Sequence, residues 1–239
     1  MPTPTTDYAN KFKSRLDEID KLETTPYQIR DIALQTLNNV GKQQLPNSAM
    51  NVVNNGIATL NNVSSGSIAA SFKVIYAQMC VLAVSDLEAI LKEYFIRAAD
   101  AYTNLDSNNK KLQQIKVTLE ELIASRLKFG GKVGQLIIDK DKPNFQNLKE
   151  IKDTFKTYFN KDVALDSNLE KNVCFYLEAR HVLVHKGGIV DSYFVSATAV
   201  MEANLKGLSE GDAIDFDNSD WPKMRDSFIA LVENVTRQV

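Results

Sequence analysis

The sequence predicts an all-α helical bundle. Apolar residues recur at helical spacing over most of the chain, capping signals mark several helix starts, and paired glycines mark stops. β-like patterning is confined to three short stretches, Leu136 to Ile138, "GGIVDSYFV" and "GDAIDFD". These read as small irregular or β decorations on a helical core.

The elements follow in order. Tyr8 to Leu22 is charged, with a sparse apolar stripe at helical spacing. "TPYQ" predicts a fresh helix start, with Thr25 as N-cap, Pro26 at the first helical position and Gln28 closing a capping box. That second helix runs to Val40. Gln43 to Gly66 is rich in Asn, Ser and Gly and reads as a loop with one short helix. It sets the expected boundary between an N-terminal helical extension, residues 1–62, and the main helical domain, residues 63–239.

Ser67 to Tyr102 predicts one long helix. Its apolar positions Phe72, Ile75, Met79, Leu82, Leu87, Ile90, Leu91 and Tyr94 cover more than one face, as expected of a central helix. Asn108 to Leu127 predicts another, ended by Gly130 and Gly131. Leu136 to Ile138 reads as a short strand or turn, and Phe145 to Phe159 as a short helix. "SNLE" places Ser167 as an N-cap with Glu170 as its capping-box partner. The helix it opens continues through Val173, Leu177 and Val184 and stops at Gly187 and Gly188. Trp221, Met224, Phe228, Leu231, Val232 and Val235 predict a final helix.

The 239 residues are 44% hydrophobic and 24% charged, with a formal net charge of −2. Nucleic-acid binding by bulk charge is therefore not implied, and a local basic patch would be needed. Cys80 and Cys174 lie in apolar helical stretches and read as buried free thiols in a reducing compartment. The N-terminus has no apolar run of signal type. "VIYAQMCVLAV" is too short to span a bilayer and is followed by Asp86 and Glu88. A cytoplasmic protein without membrane association is expected.

Chemistry concentrates in one segment. "RHVLVH", Arg180 to His185, holds both histidines of the chain. At about 100° per residue, His181 and His185 share a helix face, one turn apart. Glu178 and Cys174 fall on the same stripe. Arg180 lies to one side. The segment offers a forked phosphate-binding cation beside imidazoles able to exchange protons near pH 7. "HVLVH" has the spacing of a zinc protease helix but lacks the glutamate after the first histidine. Cys174, Glu178, His181 and His185 lie on a single stripe that does not surround a tetrahedral ion, so no metal is expected. "GGKVG" matches neither a P-loop nor a dinucleotide fingerprint, and no other cofactor motif occurs. Cys174 reads as core, and Glu178 as a solvated or helix-pairing charge.

The arrangement of arginine, polar residue, three further residues and histidine at a helix end resembles the R-x4-6-H signature of HEPN domains. The longer stretch "EARHVLVHKGGIVD", Glu178 to Asp191, is similar to the RiboL-PSP type of that superfamily. Upstream, "AVSDLEAILKEYF" resembles the earlier core helix of the family, with Ser85 and Glu88 at its small polar and acidic positions. The resemblance covers residues 67–239. It implies a helical bundle, a homodimer that brings two motif helices together, and metal-independent cleavage of RNA in toxin, antiviral defence or processing roles. It also implies an antitoxin or other defence-system partner as a candidate. Non-catalytic members serve as dimerisation, nucleotide-binding or partner-binding modules, and that alternative stays open.

On this resemblance His185 is the principal acid/base, Arg180 binds the scissile phosphate, and His181 orients the phosphate or assists proton transfer. Glu88 and Ser85 tether the arginine or polarise a histidine, with Glu178 as a further supporting residue. Lys186 and the Arg126, Lys128, Lys132 cluster are candidates for attracting the RNA backbone.

Overall fold

In a computed structural model of the chain, residues 4–43, 46–63, 67–101, 109–124 and 132–238 are described. Ten helices occur among them: α1 (Pro4–Gly41), α2 (Asn47–Val63), α3 (Ser67–Ala101), α4 (Lys110–Gln114), α5 (Leu119–Ala124), α6 (Val133–Asp141), α7 (Leu148–Phe159), α8 (Ser167–His185), α9 (Ser192–Val200) and α10 (Asp220–Gln238). The described residues form no β-sheet. The fold is an all-α bundle.

Helix α3 is the hub, touching α1, α6, α8 and α10. Met79, Cys80, Ala83, Val84, Leu87, Ile90, Leu91 and Phe95 are wholly buried along it. They are too closely spaced to lie on one face, so neighbours are needed on several sides. Leu82 is an exception and stays exposed. The apolar run at Val74 belongs to a helix that is, by length and composition, long enough to cross a membrane. Of its most apolar stretch, 44% is buried inside the protein. At one end, Phe95 meets Phe145, Phe155, Tyr158 and Phe159 at ring-centroid distances of 5.2–6.2 Å. Such edge-on ring packing adds to the burial of apolar area.

Helix α1 runs unbroken through Thr25 to Gln28, so the expected capping box is not formed. Pro26 cannot donate the backbone hydrogen bond of an interior helical position, and the helix continues past it. Tyr8, Phe12, Leu16 and Ile19 of its first half join the same core cluster as Val235 of the last helix. The core thus crosses the expected boundary at residues 62/63. The second half pairs with α2, a 17-residue helix where a loop with one short helix was expected. Gly56 faces Leu37 there, and Val53 is buried against the end of α1 near Gly41.

The helix expected over Asn108–Leu127 is interrupted: residues 115–118, "IKVT", are non-helical between α4 and α5. Three of these four residues are β-branched and resist helical packing. The stop expected at Gly130 and Gly131 lies outside the described residues. The strand or turn expected at Leu136–Ile138 is helix α6. Its start rests on α3: a Cβ at Gly134 would lie 2.3 Å from the Ile96 carbonyl oxygen, and the Gly134 amide donates to Asp100 Oδ1 at 2.8 Å. Only the last four residues of the "GGIVDSYFV" segment are helical, as the start of α9. Only a single antiparallel bridge, Ile189 to Ala213, remains of the expected β-structure.

Candidate functional site

Helix α8 carries the motif. Its N-cap is Asp166 rather than Ser167, with the carboxylate accepting from the Leu169 amide at 2.9 Å. Glu170 is therefore free of the expected capping box and pairs with Lys152 of α7. From Val173 to Ala179 every residue is buried, against α3, α7, α9 and α10. The helix then emerges, and its last turn and a half is Arg180 to His185.

The stop is as expected. Gly187 and Gly188 have φ of +62° and +84°, and the Lys186 and Gly188 amides both donate to the Val182 carbonyl. The chain turns back through the Ile189–Ala213 bridge. Asp191 then caps α9, accepting from the Phe194 amide at 2.9 Å, while Lys186 Nζ sits 3.4 Å from its carboxylate. These two contacts hold the Asp191 carboxyl below its ordinary range, the backbone hydrogen bond contributing most. The cap fixes α9 so that Tyr193, in its first turn, lies beside His181.

The ring centroids of His181 and His185 are 4.8 Å apart, and those of His181 and Tyr193 are 5.6 Å apart. His185 is exposed and His181 half-buried. Loss of solvent lowers the His181 pKa below its ordinary 6.5, and the neighbouring His185, Arg180 and Lys186 charges lower it further. Asp191 opposes them. His181 is therefore largely neutral at pH 7.

Arg180 turns toward α3, where its Nη2 is 3.8 Å from Glu88 Oε1. The two side chains are 17% and 23% exposed. Arg180 Nε and Glu88 Oε1 are both buried without a hydrogen-bond partner among the described residues. Burial raises the Glu88 pKa, and the Arg180 charge and a hydrogen bond with Gln146 partly reverse this. The Arg180–Glu88 contact is thus an attraction across a gap, too long for a direct hydrogen bond. Glu88 also lines a cleft of about 320 Å³ with Ser85, Lys92, Asn144 and Gln146.

The other candidates are placed less simply. The Ser85 hydroxyl donates to the Val81 carbonyl one turn back, so it is an exposed residue satisfied within its own helix. Glu178 is not a solvated charge: it is 7% exposed. Burial, with Asp191 nearby, pushes its pKa up to about 7. Cys174 is buried, and its thiol is pushed up to about 12, chiefly by burial, so it is an inert core group. Lys186 is exposed at the helix end. Lys132 is exposed before α6, whereas Arg126 and Lys128 lie outside the described residues. Among the described residues no three His, Cys, Asp or Glu side chains are grouped to hold a metal ion.

Sequence reasoning missed Tyr193. Its signal was present, since "IVD" followed by Ser-Tyr-Phe is an Asp-capped helix start. The β-rich reading of that stretch hid it.

The arrangement provides a neutral imidazole, a second imidazole open to solvent, and a guanidinium with an unfilled donor, all at one helix end. Compared with protein-family models, with curated proteins and with solved structures, the chain finds no match.

Proposed function

We propose that the chain is a metal-independent endoribonuclease of the HEPN type, acting as a toxin or antiviral defence effector. The observation that carries this reading is the His181–His185 pair, 4.8 Å between rings, at the exposed end of the helix that also bears Arg180. RNA cleavage without metal needs a base for the 2′-hydroxyl, an acid for the 5′-oxygen, and cations for the charge on phosphorus. The 2′-oxygen, losing its proton to an imidazole, bonds to phosphorus. The bond to the 5′-oxygen breaks, and that oxygen takes a proton from an imidazolium. The products are a 2′,3′-cyclic phosphate and a 5′-hydroxyl.

His185, the more open ring, is the principal acid/base. His181 is largely neutral at pH 7 and so is suited to accept a proton or orient the phosphate. Arg180 has a buried Nε donor without an acceptor, a cost that a bound phosphate oxygen would relieve once the side chain shifts outward. Glu88 positions Arg180. A second copy of the chain, joined about a twofold axis, would double the set of groups at a composite site. RNA, a homodimer partner and an antitoxin or defence-system partner are the interactions this reading carries, in the cytoplasm.

The test is RNA cleavage by purified protein in EDTA. Arg180→Ala and His185→Ala should each abolish it while leaving the oligomeric state intact. Cleavage undiminished by both changes would overturn the reading. A second reading, a non-catalytic dimerisation or partner-binding module, is favoured by one observation: Arg180 is mostly covered and already faces Glu88. It predicts no cleavage, and loss of the dimer or bound partner in His185→Ala.

A further inference from the structure

We propose that Tyr193 is a stacking platform for the RNA base next to the scissile phosphate, a substrate-positioning residue supplied by α9 and outside the motif helix. The proposal rests on the ribonuclease reading and deepens it. Three rings stand in a row, His185, His181 and Tyr193, with successive centroids 4.8 and 5.6 Å apart and successive planes tilted by 49° and 48°. Tyr193 ends the row and is 54% exposed, unusual for a large ring beside such a cluster. Nothing in the fold requires the exposure, because neighbouring Phe194 supplies the core contact of α9 and is fully buried.

Arg180 and the two imidazoles supply the groups that attract a phosphate. Tyr193 offers an exposed ring face, which suits an uncharged base. The nucleotide is therefore placed with its phosphate at Arg180 and the imidazoles and its base over Tyr193. A base so held is unpaired, which directs the site to single-stranded segments.

The probe is a 2′-O-methyl oligoribonucleotide, which cannot be cleaved by 2′-oxygen attack, used with the full chain. Tyr193→Phe should bind it like the wild type. Tyr193→Ala should bind about tenfold more weakly and melt at nearly the wild-type temperature. Tyr193→Trp should bind, with its fluorescence quenched on saturation, a signal that a residue merely packing on His181 would not give. A duplex of the same sequence should bind equally to wild type and Tyr193→Ala. Wild-type affinity in Tyr193→Ala, absence of quenching in Tyr193→Trp, loss of binding in Tyr193→Phe, or no single-strand binding by the wild type would each overturn the proposal. Because the probe is not cleaved, these outcomes are separate from the cleavage test. Histidine variants that leave cleavage intact refute the ribonuclease mechanism whatever Tyr193 does.

Discussion

The two halves of α8 are built from one continuous helix and behave as different materials. Val173 to Ala179 is enclosed on all sides, including a glutamate, whereas Arg180 to His185 has only one side against the protein. The enclosed half is held against rotation and sliding, because Phe175 and Tyr176 interlock with Phe194, Phe216 and Phe228 at 6.0–6.4 Å. The open half inherits that rigidity. Its imidazoles need few side-chain torsions to be fixed, which is how a site is held ready on a regular element rather than on a loop. The difference teaches that the buried half sets the geometry and the open half supplies the chemistry.

Substitutions in the two halves should therefore separate activity from stability. The largest effect belongs to the open half: His185→Ala should lower RNA cleavage by about 10²–10⁴-fold while changing unfolding free energy by no more than about 0.5 kcal/mol. Activity assays beside urea melts check both. Next comes the enclosed half, where Phe175→Ala should cost about 3–5 kcal/mol of stability by opening a cavity. The same melts read it, and a small loss there would mean the half is less rigid than its packing implies.

Glu178 gives a smaller, pH-dependent effect. Its folded pKa of about 7 lies above the ordinary 4.5, so the folded protein holds a proton that the unfolded chain has released. Stability must fall as pH rises from about 4.5 to about 7 and then level off. Glu178→Gln, neutral throughout, should flatten that slope and stabilise the protein at pH 8 by on the order of 1 kcal/mol, after allowance for partial solvent screening. Melting temperatures from pH 5 to 8 test it, and an unchanged slope in the Gln variant would assign the dependence elsewhere. The smallest effect is at the far end of the helix: Asp166→Ala should cost about 1 kcal/mol by uncapping it, with cleavage retained per folded molecule.

Much of this was legible in the sequence, for reasons that particular residues make clear. The capping region and Gly187–Gly188 bracket α8 because such signals act locally. The stripe of α10 and the multi-faced pattern of α3 are long enough to average out exceptions such as Leu82. What failed depended on distant partners. Leu136 to Ile138 reads as a short strand or turn, yet it is helix α6, whose start at Gly134 is set by the close approach of α3. Pro26 reads as a start signal, yet α1 continues through it. At the site, the spacing of the histidines predicted their shared face. The burial of Glu178 was not readable, because its neighbours Asp191 and Tyr193 come from a segment whose β-branched and aromatic content masked a short helix. The pairing of Arg180 with Glu88, 92 positions away by subtraction of their residue numbers, entered only through resemblance.

The contacts of α1 with α10 have a consequence in time. Trp221 Nε1 donates to Asp20 at 2.7 Å across 201 residues, and Arg225 reaches Asp17 across 208. At ribosomal speeds α1 leaves the exit tunnel roughly 10–40 s before the helix that covers it. During that interval Phe12 and Leu16 have only part of their final surroundings. The nascent chain therefore waits for α10 before the core around α1 can close, and the buried stretch of α8, where Tyr176 packs on Phe228, is completed only then.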